Sequence, residues 1–178
     1  IYQKRVLDYQ ALESLPGKSF GDLQKSYDLG LAPPLINFYD RLVLANNTLG
    51  TAILGEFKRA SPSKVDININ AHPAEQALLY AHGGCAAISV LTEPKWFKGS
   101  LDDMALIRRA VDAGEKPQGY TRPAILRKEF IFSQYQILEA RLAGADTVLL
   151  IVKMLADKEL LGALYQYSLD LGMVPLVE

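Results

Sequence analysis

An α/β fold with a parallel sheet, of the closed (β/α)8 kind and cut after about its fifth strand, is predicted by the order of elements and the chemistry at their ends. From the neighbourhood of Thr51 onward the chain repeats strand, loop and helix. Such alternation argues for parallel strands joined by right-handed crossovers. The strand candidates are short apolar runs rich in Val, Ile and Leu, as expected where both faces are covered. No Gly-rich dinucleotide fingerprint follows any of them, which weakens the doubly wound alternative. Charged residues at several strand ends favour the barrel, whose site draws on every βα junction.

The chain before residue 50 differs in character and reads as a helical extension over 1–50. Residues 1–14 are helix-like, 20–27 form a second short helix, and 34–43 a third after the Ala-Pro-Pro turn. Tyr39 and Leu42 are placed to dock onto the barrel beside Ile36. The partial barrel, roughly strands one to five, occupies 51–178. Its strands are expected at 52–58, Ala87–Leu91, Ala124–Lys128, 147–152 and 174–178. Between them run amphipathic stretches. Pro73–His82 puts Ala77, Leu78 and Ala81 on one side, and 101–111 carries Met104, Ile107 and Val111 at helical spacing. Stretches 133–143 and 158–171 follow the same rule. Ser133 can cap the first of these and Gly144 can end it.

The 178 residues suffice for one domain with a sizeable core. Lys and Arg number 19 against 20 Asp and Glu, a net charge of −1. That balance gives no electrostatic argument for nucleic acid or an anionic membrane. The single cysteine, Cys85, cannot form an internal disulfide and reads as small core filling. A lone thiol fits a reducing, cytoplasmic setting. The longest apolar run, 147–152, is far too short to span a bilayer. The chain starts at Ile1, its first Met is Met104, and it stops inside a strand pattern. These ends suggest a piece of a longer polypeptide.

Three segments carry the chemistry: Glu56-Phe-Lys-Arg-Ala-Ser-Pro-Ser-Lys64, Leu126-Arg-Lys-Glu-Phe130 and Pro175-Leu-Val-Glu178. Glu56 and Lys58 are two apart, so on a strand they share a face. Lys128 and Glu178 also close apolar runs. Charges at strand ends are costly in a core unless they line a site that uses them. Taken singly, the Glu56–Lys58 pair could be a structural ion pair and Lys128 a solvated strand end. Trp96 and Phe97 read first as packing residues. His72 and His82 lie outside any strand end, without metal spacing around them.

Together these segments resemble one family, indole-3-glycerol-phosphate synthase, a (β/α)8 (TIM) barrel enzyme of tryptophan biosynthesis. The resemblance also rests on Leu31-Ala-Pro-Pro34, Ile88-Ser-Val-Leu-Thr-Glu93 with Trp96-Phe-Lys-Gly-Ser100, and Gly144-Ala-Asp-Thr-Val-Leu-Leu-Ile151. The wording of Lys128–Arg141 is similar to the fungal branch. There the domain is usually fused behind a glutamine amidotransferase, which implies anthranilate synthase component 1 as a partner. The resemblance implies conversion of 1-(2-carboxyphenylamino)-1-deoxyribulose 5-phosphate to indole-3-glycerol phosphate with loss of CO2 and water. It implies Lys128 as general acid, Lys58 as holder of the anthranilate carboxylate, Glu178 as general base and Glu56 as orienting group. Ser61 matches a substrate contact, Phe97 an apolar wall, and Arg59 an anion contact. No cofactor or metal is implied. Other readings are a Schiff-base aldolase using Lys128 as nucleophile, or a non-catalytic assembly domain.

Two departures stand out. Where the family usually has Gly beside Ser-Pro-Ser-Lys, this chain has Val65, and a β-branched residue would be strained there at positive φ. The strands that carry the family's phosphate cradle lie beyond residue 178. The isolated 178 residues are therefore expected to be inactive and poorly folded, with open sheet edges.

Overall fold

The computed structural model describes residues 1–114 and 121–178. Three helices come first. They are α1 (Tyr2–Glu13), α2 (Phe20–Asp28), held at its start by a Ser19–Asp22 capping box, and α3 (Phe38–Leu49). The third begins later than the expected 34–43. Asn37 caps it by accepting from the Asp40 N–H at 3.1 Å, while the Ile36 N–H is bound by the Asp146 carboxylate at 3.0 Å. The segment after Pro34 is thereby held out of the helix. Gly50, at φ 75°, supplies the left-handed stop.

This shift changes which aromatic docks. Tyr39 is 63% exposed and Phe38 only 4%, so the expected role of Tyr39 falls to its neighbour. Phe38 and Leu42 are four apart and share a helical face. They pack with Ile36, Ala87, Ala124 and Leu176. Tyr39 lies about 100° round the helix from that contact.

A short strand, β1 (Leu54–Phe57), follows, then an antiparallel hairpin of β2 (Ala60–Ser61) and β3 (Val65–Asp66). The hairpin strands are too short to show an alternating pattern, so periodicity does not reveal them. Next come α4 (Pro73–His82), β4 (Ala87–Leu91), α5 (Leu101–Ala113), β5 (Ala124–Lys128), α6 (Gln134–Leu142), β6 (Thr147–Leu150), α7 (Lys158–Asp170) and β7 (Leu176–Val177). Every strand and helix anticipated from Thr51 onward is present, though β1, β6 and β7 are shorter than expected. At the start of α6 the Gln136 side-chain oxygen accepts from the Phe132 and Ser133 N–H groups, at 2.8 and 3.2 Å. Gly144, at φ 98°, follows its end.

The five longer-range strands form one parallel sheet in the order β1-β4-β5-β6-β7. Among the described residues this sheet is open at β1 and β7. Strand alternation gives its two faces different partners. Ile88, Val90, Ile125 and Val148 join Met104, Ile107 and Leu138 of the helices in the main core. Ala87 and Ala124, the first residues of their strands, face Phe38 instead. Phe38 thus fills the N-terminal end of the inner face. The C-terminal end of that face is left to polar groups.

Candidate active site

Glu56 on β1 is in register with Ser89 on β4, and Leu91 is in register with Lys128 on β5. Paired residues share a face, so Glu56, Ser89, Leu91, Leu126 and Lys128 all belong to the inner one. The small Ser89 leaves room above β4 for the side chains of β1 and β5 to meet. Glu56 Oε2 accepts from Lys128 Nζ at 2.8 Å, and Glu56 Oε1 accepts from Lys58 Nζ at 2.5 Å. One carboxylate therefore bridges two ammonium groups. Burial by itself would raise the Glu56 carboxyl. The hydrogen bonds and charges of Lys128 and Lys58 outweigh burial and hold it below its ordinary range. The three side chains keep 30–36% of their surface exposed, so an incoming ligand can reach them.

Beside this triad lies a cavity of about 200 Å³, walled by Leu91, Phe97, Phe130, Leu149 and Ile151. The Phe97 and Phe130 rings are 6.3 Å apart at 45°. An apolar slot closed at one end by two cations suits a flat aromatic ring bearing an acid group.

The site residues named from sequence divide into two groups. Glu56, Lys58, Lys128 and Phe97 come together around the cavity. Glu178 is exposed and lies two residues beyond the inward Leu176. Its N–H is bound to Leu150 O and its carbonyl to the Val152 N–H, and its side chain makes no ion pair among the described residues. Ser61 accepts the Lys64 N–H at 3.2 Å and borders a separate crevice with Trp96 and Lys98. Arg59 grips the Asp103 carboxylate at 2.5 and 2.9 Å and donates to Lys98 O at 3.0 Å, outside the cavity lining. Val65 has φ 52°, so the strained conformation anticipated for it is present. His72 caps α4, and Cys85 is buried, with burial pushing its thiol up. Among the described residues, no group of His, Cys, Asp and Glu could hold a metal ion, and no helix is long and apolar enough to cross a membrane.

Sequence reasoning missed the support behind Lys128. Its neighbours Arg127 and Glu129 are 1% and 2% exposed. Arg127 donates to Tyr9 Oη at 2.6 Å, Glu139 Oε2 at 2.8 Å and Thr92 Oγ1 at 3.2 Å. Glu129 accepts from Arg5 at 3.0 and 3.3 Å and from Thr92 Oγ1 at 2.9 Å. Burial alone would lower the Arg127 guanidinium; Tyr9, Glu139 and Glu129 together raise it above its ordinary value. Burial pushes the Tyr9 hydroxyl up to about 12. Helix α1 is thus tied by buried charges to the residues flanking Lys128. The available signal was the run Arg127-Lys128-Glu129 at the end of an apolar strand, since alternation sends its middle member one way and its outer members the other.

The family model described as "Indole-3-glycerol phosphate synthase" matches residues 1–178. The chain is 53% identical, over its full length, to a "Multifunctional tryptophan biosynthesis protein" of Schizosaccharomyces pombe. It is 54% identical to a protein of the same description from Phycomyces blakesleeanus. It spans 22% of the length of each of these two relatives. An "Indole-3-glycerol phosphate synthase" of Aquifex aeolicus is 48% identical over 141 residues, 79% of this chain and 50% of that protein. The match to all 178 residues, with relatives at about half identity, shows that the chain belongs to the indole-3-glycerol phosphate synthase family.

Proposed function

We propose that this chain supplies the acid and carboxylate-binding side of an indole-3-glycerol phosphate synthase site. The substrate is 1-(2-carboxyphenylamino)-1-deoxyribulose 5-phosphate. The observation that carries the reading is the carboxylate of Glu56 bridging Lys58 and Lys128 at the mouth of an aromatic-walled cavity. The anthranilate ring enters the slot between Phe97 and Phe130, and Lys58 holds its carboxylate. Ring closure joins the ring carbon that bears the carboxylate to the C2' carbonyl carbon, and Lys128 protonates the carbonyl oxygen as it becomes a hydroxyl. Carbon dioxide leaves with its bond pair returned to the ring. The hydroxyl then leaves as water with a proton from a lysine, while Glu178 as base removes the proton that completes the indole. Glu56 orients both lysines throughout. Ser61 contributes as a substrate contact from the segment after β1, and Arg59 as an anion contact once it parts from Asp103.

The rest of the barrel, with its phosphate grip, is assigned to residues outside this chain. The whole is proposed to act as one domain of a cytoplasmic multifunctional tryptophan biosynthesis protein. A fused glutamine amidotransferase domain would bring anthranilate synthase component 1 as partner. The isolated 178 residues are then expected to give no turnover and no cooperative melt, and calorimetry showing a sharp transition with product formation would overturn that.

The direct test follows indole-glycerol fluorescence in the longest natural chain that contains these residues. Lys128→Met is expected to lower kcat about 10²- to 10⁴-fold, the usual weight of a positioned acid. Turnover within tenfold of the parent would remove Lys128 from that role, and an inactive parent would remove the reaction. The aldolase reading is separated by borohydride trapping with a carbonyl substrate, since a Schiff-base lysine at Lys128 would be captured as its imine and the synthase reaction forms none.

A further inference from the structure

Glu93 is 1% exposed and makes no ion pair among the described residues. A buried carboxylate without a cation is expensive unless N–H groups surround it. Here three do, all from the turn that follows: Lys95 N–H at 2.9 Å, Trp96 N–H at 2.6 Å and Phe97 N–H at 3.0 Å. The Glu93 carbonyl also accepts the Gly99 N–H at 3.0 Å, which closes the turn into a ring. The ring is tight. Lys98 takes φ 55°, and a Cβ on Gly99 would lie 1.9 Å from Leu91 O. Phe97 leaves this ring to wall the cavity, while its carbonyl accepts from the Ala60 N–H at 3.2 Å. Nothing in the proposed chemistry uses the Glu93 charge, yet its oxygens fix the backbone of one cavity-wall residue directly.

We propose that Glu93 is a positioning residue: its buried carboxylate gathers the 95–97 N–H groups so that Phe97 stands opposite Phe130 and sets the width of the slot for the substrate's aromatic ring. This rests on the reaction proposed above. The carboxylate has two oxygens for three N–H groups. A glutamine has one acceptor oxygen and turns an NH2 group toward a donor, so at least one N–H is released. An aspartate, one methylene shorter, keeps the acceptors but draws the turn inward.

The test uses Glu93→Gln, Glu93→Asp and Phe97→Ala, alone and combined, in the longest natural chain containing these residues. Amide hydrogen exchange in the 95–97 turn is expected to quicken in Glu93→Gln, most at Lys95, whose acceptor Oε1 is the one an amide NH2 replaces with the fewest bonds lost. KM is expected to rise about three- to tenfold, the weight of one aromatic contact, with kcat within twofold. In the Phe97→Ala background the same change should leave KM where Phe97→Ala alone puts it, whereas general loosening would raise KM in both backgrounds alike. Glu93→Asp should fall between parent and Glu93→Gln, and it carries the test if the glutamine variant does not fold. Unchanged exchange, an effect on kcat alone, or additivity with Phe97→Ala would each overturn the proposal. A parent that does not turn over the substrate would refute the reaction, leaving the exchange measurement to decide the clamp by itself.

Discussion

Replacing Val65 by glycine is expected to stabilise the protein, although it deletes a side chain and adds backbone freedom. Ser61 and Lys64 close a turn through a 3.2 Å bond from the Lys64 N–H to Ser61 O, and the next residue, Val65, sits at φ 52°. A turn followed by a left-handed residue is a common way to close a short hairpin, and glycine is its natural occupant. For an L-residue the left-handed conformation costs roughly 1–2 kcal/mol through Cβ crowding, and a β-branched side chain stands at the upper end. Against this, glycine gives the unfolded chain more freedom, worth about 0.5–1 kcal/mol. Val65 is 71% exposed, so little apolar burial is lost. The balance is a gain of about 0.5–1 kcal/mol. Urea midpoints of the longest natural chain, its Val65→Gly and its Val65→Ala variants read it directly. Alanine keeps the Cβ but not the branch, so it belongs between the two. A glycine variant less stable than the parent, or an alanine variant above glycine, would show that the loop carries no strain at this position.

Two further outcomes follow from the buried and half-buried charges. The Glu56 carboxyl is held below its ordinary 4.5, so its contribution to stability is complete above that value and is lost as pH falls through the folded pKa. In Glu56→Gln the stability difference between neutral and acid pH should shrink, by no more than about 1 kcal/mol because the partners are a third exposed, and denaturant melts at pH 7 and pH 3 would show it. Arg127→Met removes a guanidinium that is itself 1% exposed and leaves Glu139, 14% exposed, with only the 3.0 Å bond from Tyr9 Oη, so a loss of about 3 kcal/mol, the lower end for a broken buried pair, is expected in the same melts. A loss below 1 kcal/mol would mean that these groups find water or other partners.

Much of the fold is legible because the helices are long enough to show a period and the inner strands are continuous apolar runs. Met104, Ile107 and Val111 are all buried, as their spacing requires. What escaped has local causes. Phe38 rather than Tyr39 docks because the Asn37 cap fixes where α3 begins, and a cap one or two residues away rotates the whole apolar face. The hairpin escaped because two-residue strands have no periodicity. The site was legible where charge interrupts apolar runs, at Glu56, Lys58 and Lys128. Glu93 and Glu129 were not singled out, because their partners are backbone N–H groups and residues far along the chain. No spacing rule reports a bond between Arg5 and Glu129, 124 residues apart.

The arrangement of charge at the mouth also explains why two lysines share one carboxylate instead of each having its own. Glu56 neutralises one of two ammonium groups, so the triad keeps a net charge of +1 facing the cavity. A second carboxylate at this point would satisfy both lysines and leave nothing for an anionic ligand to compensate. No carboxylate would set two cations a few ångströms apart, costly enough in a partly desolvated cleft to drive one neutral or away. One bridging carboxylate resolves both problems, since it holds the lysines side by side in the free site and, on the proposed reaction, can release either to the substrate carboxylate. Lys58 adjoins the hairpin mouth and Lys128 ends the strand anchored through Arg127 and Glu129. On the proposed reaction, this anchoring suits Lys128 to the proton transfer, the step that needs geometry most.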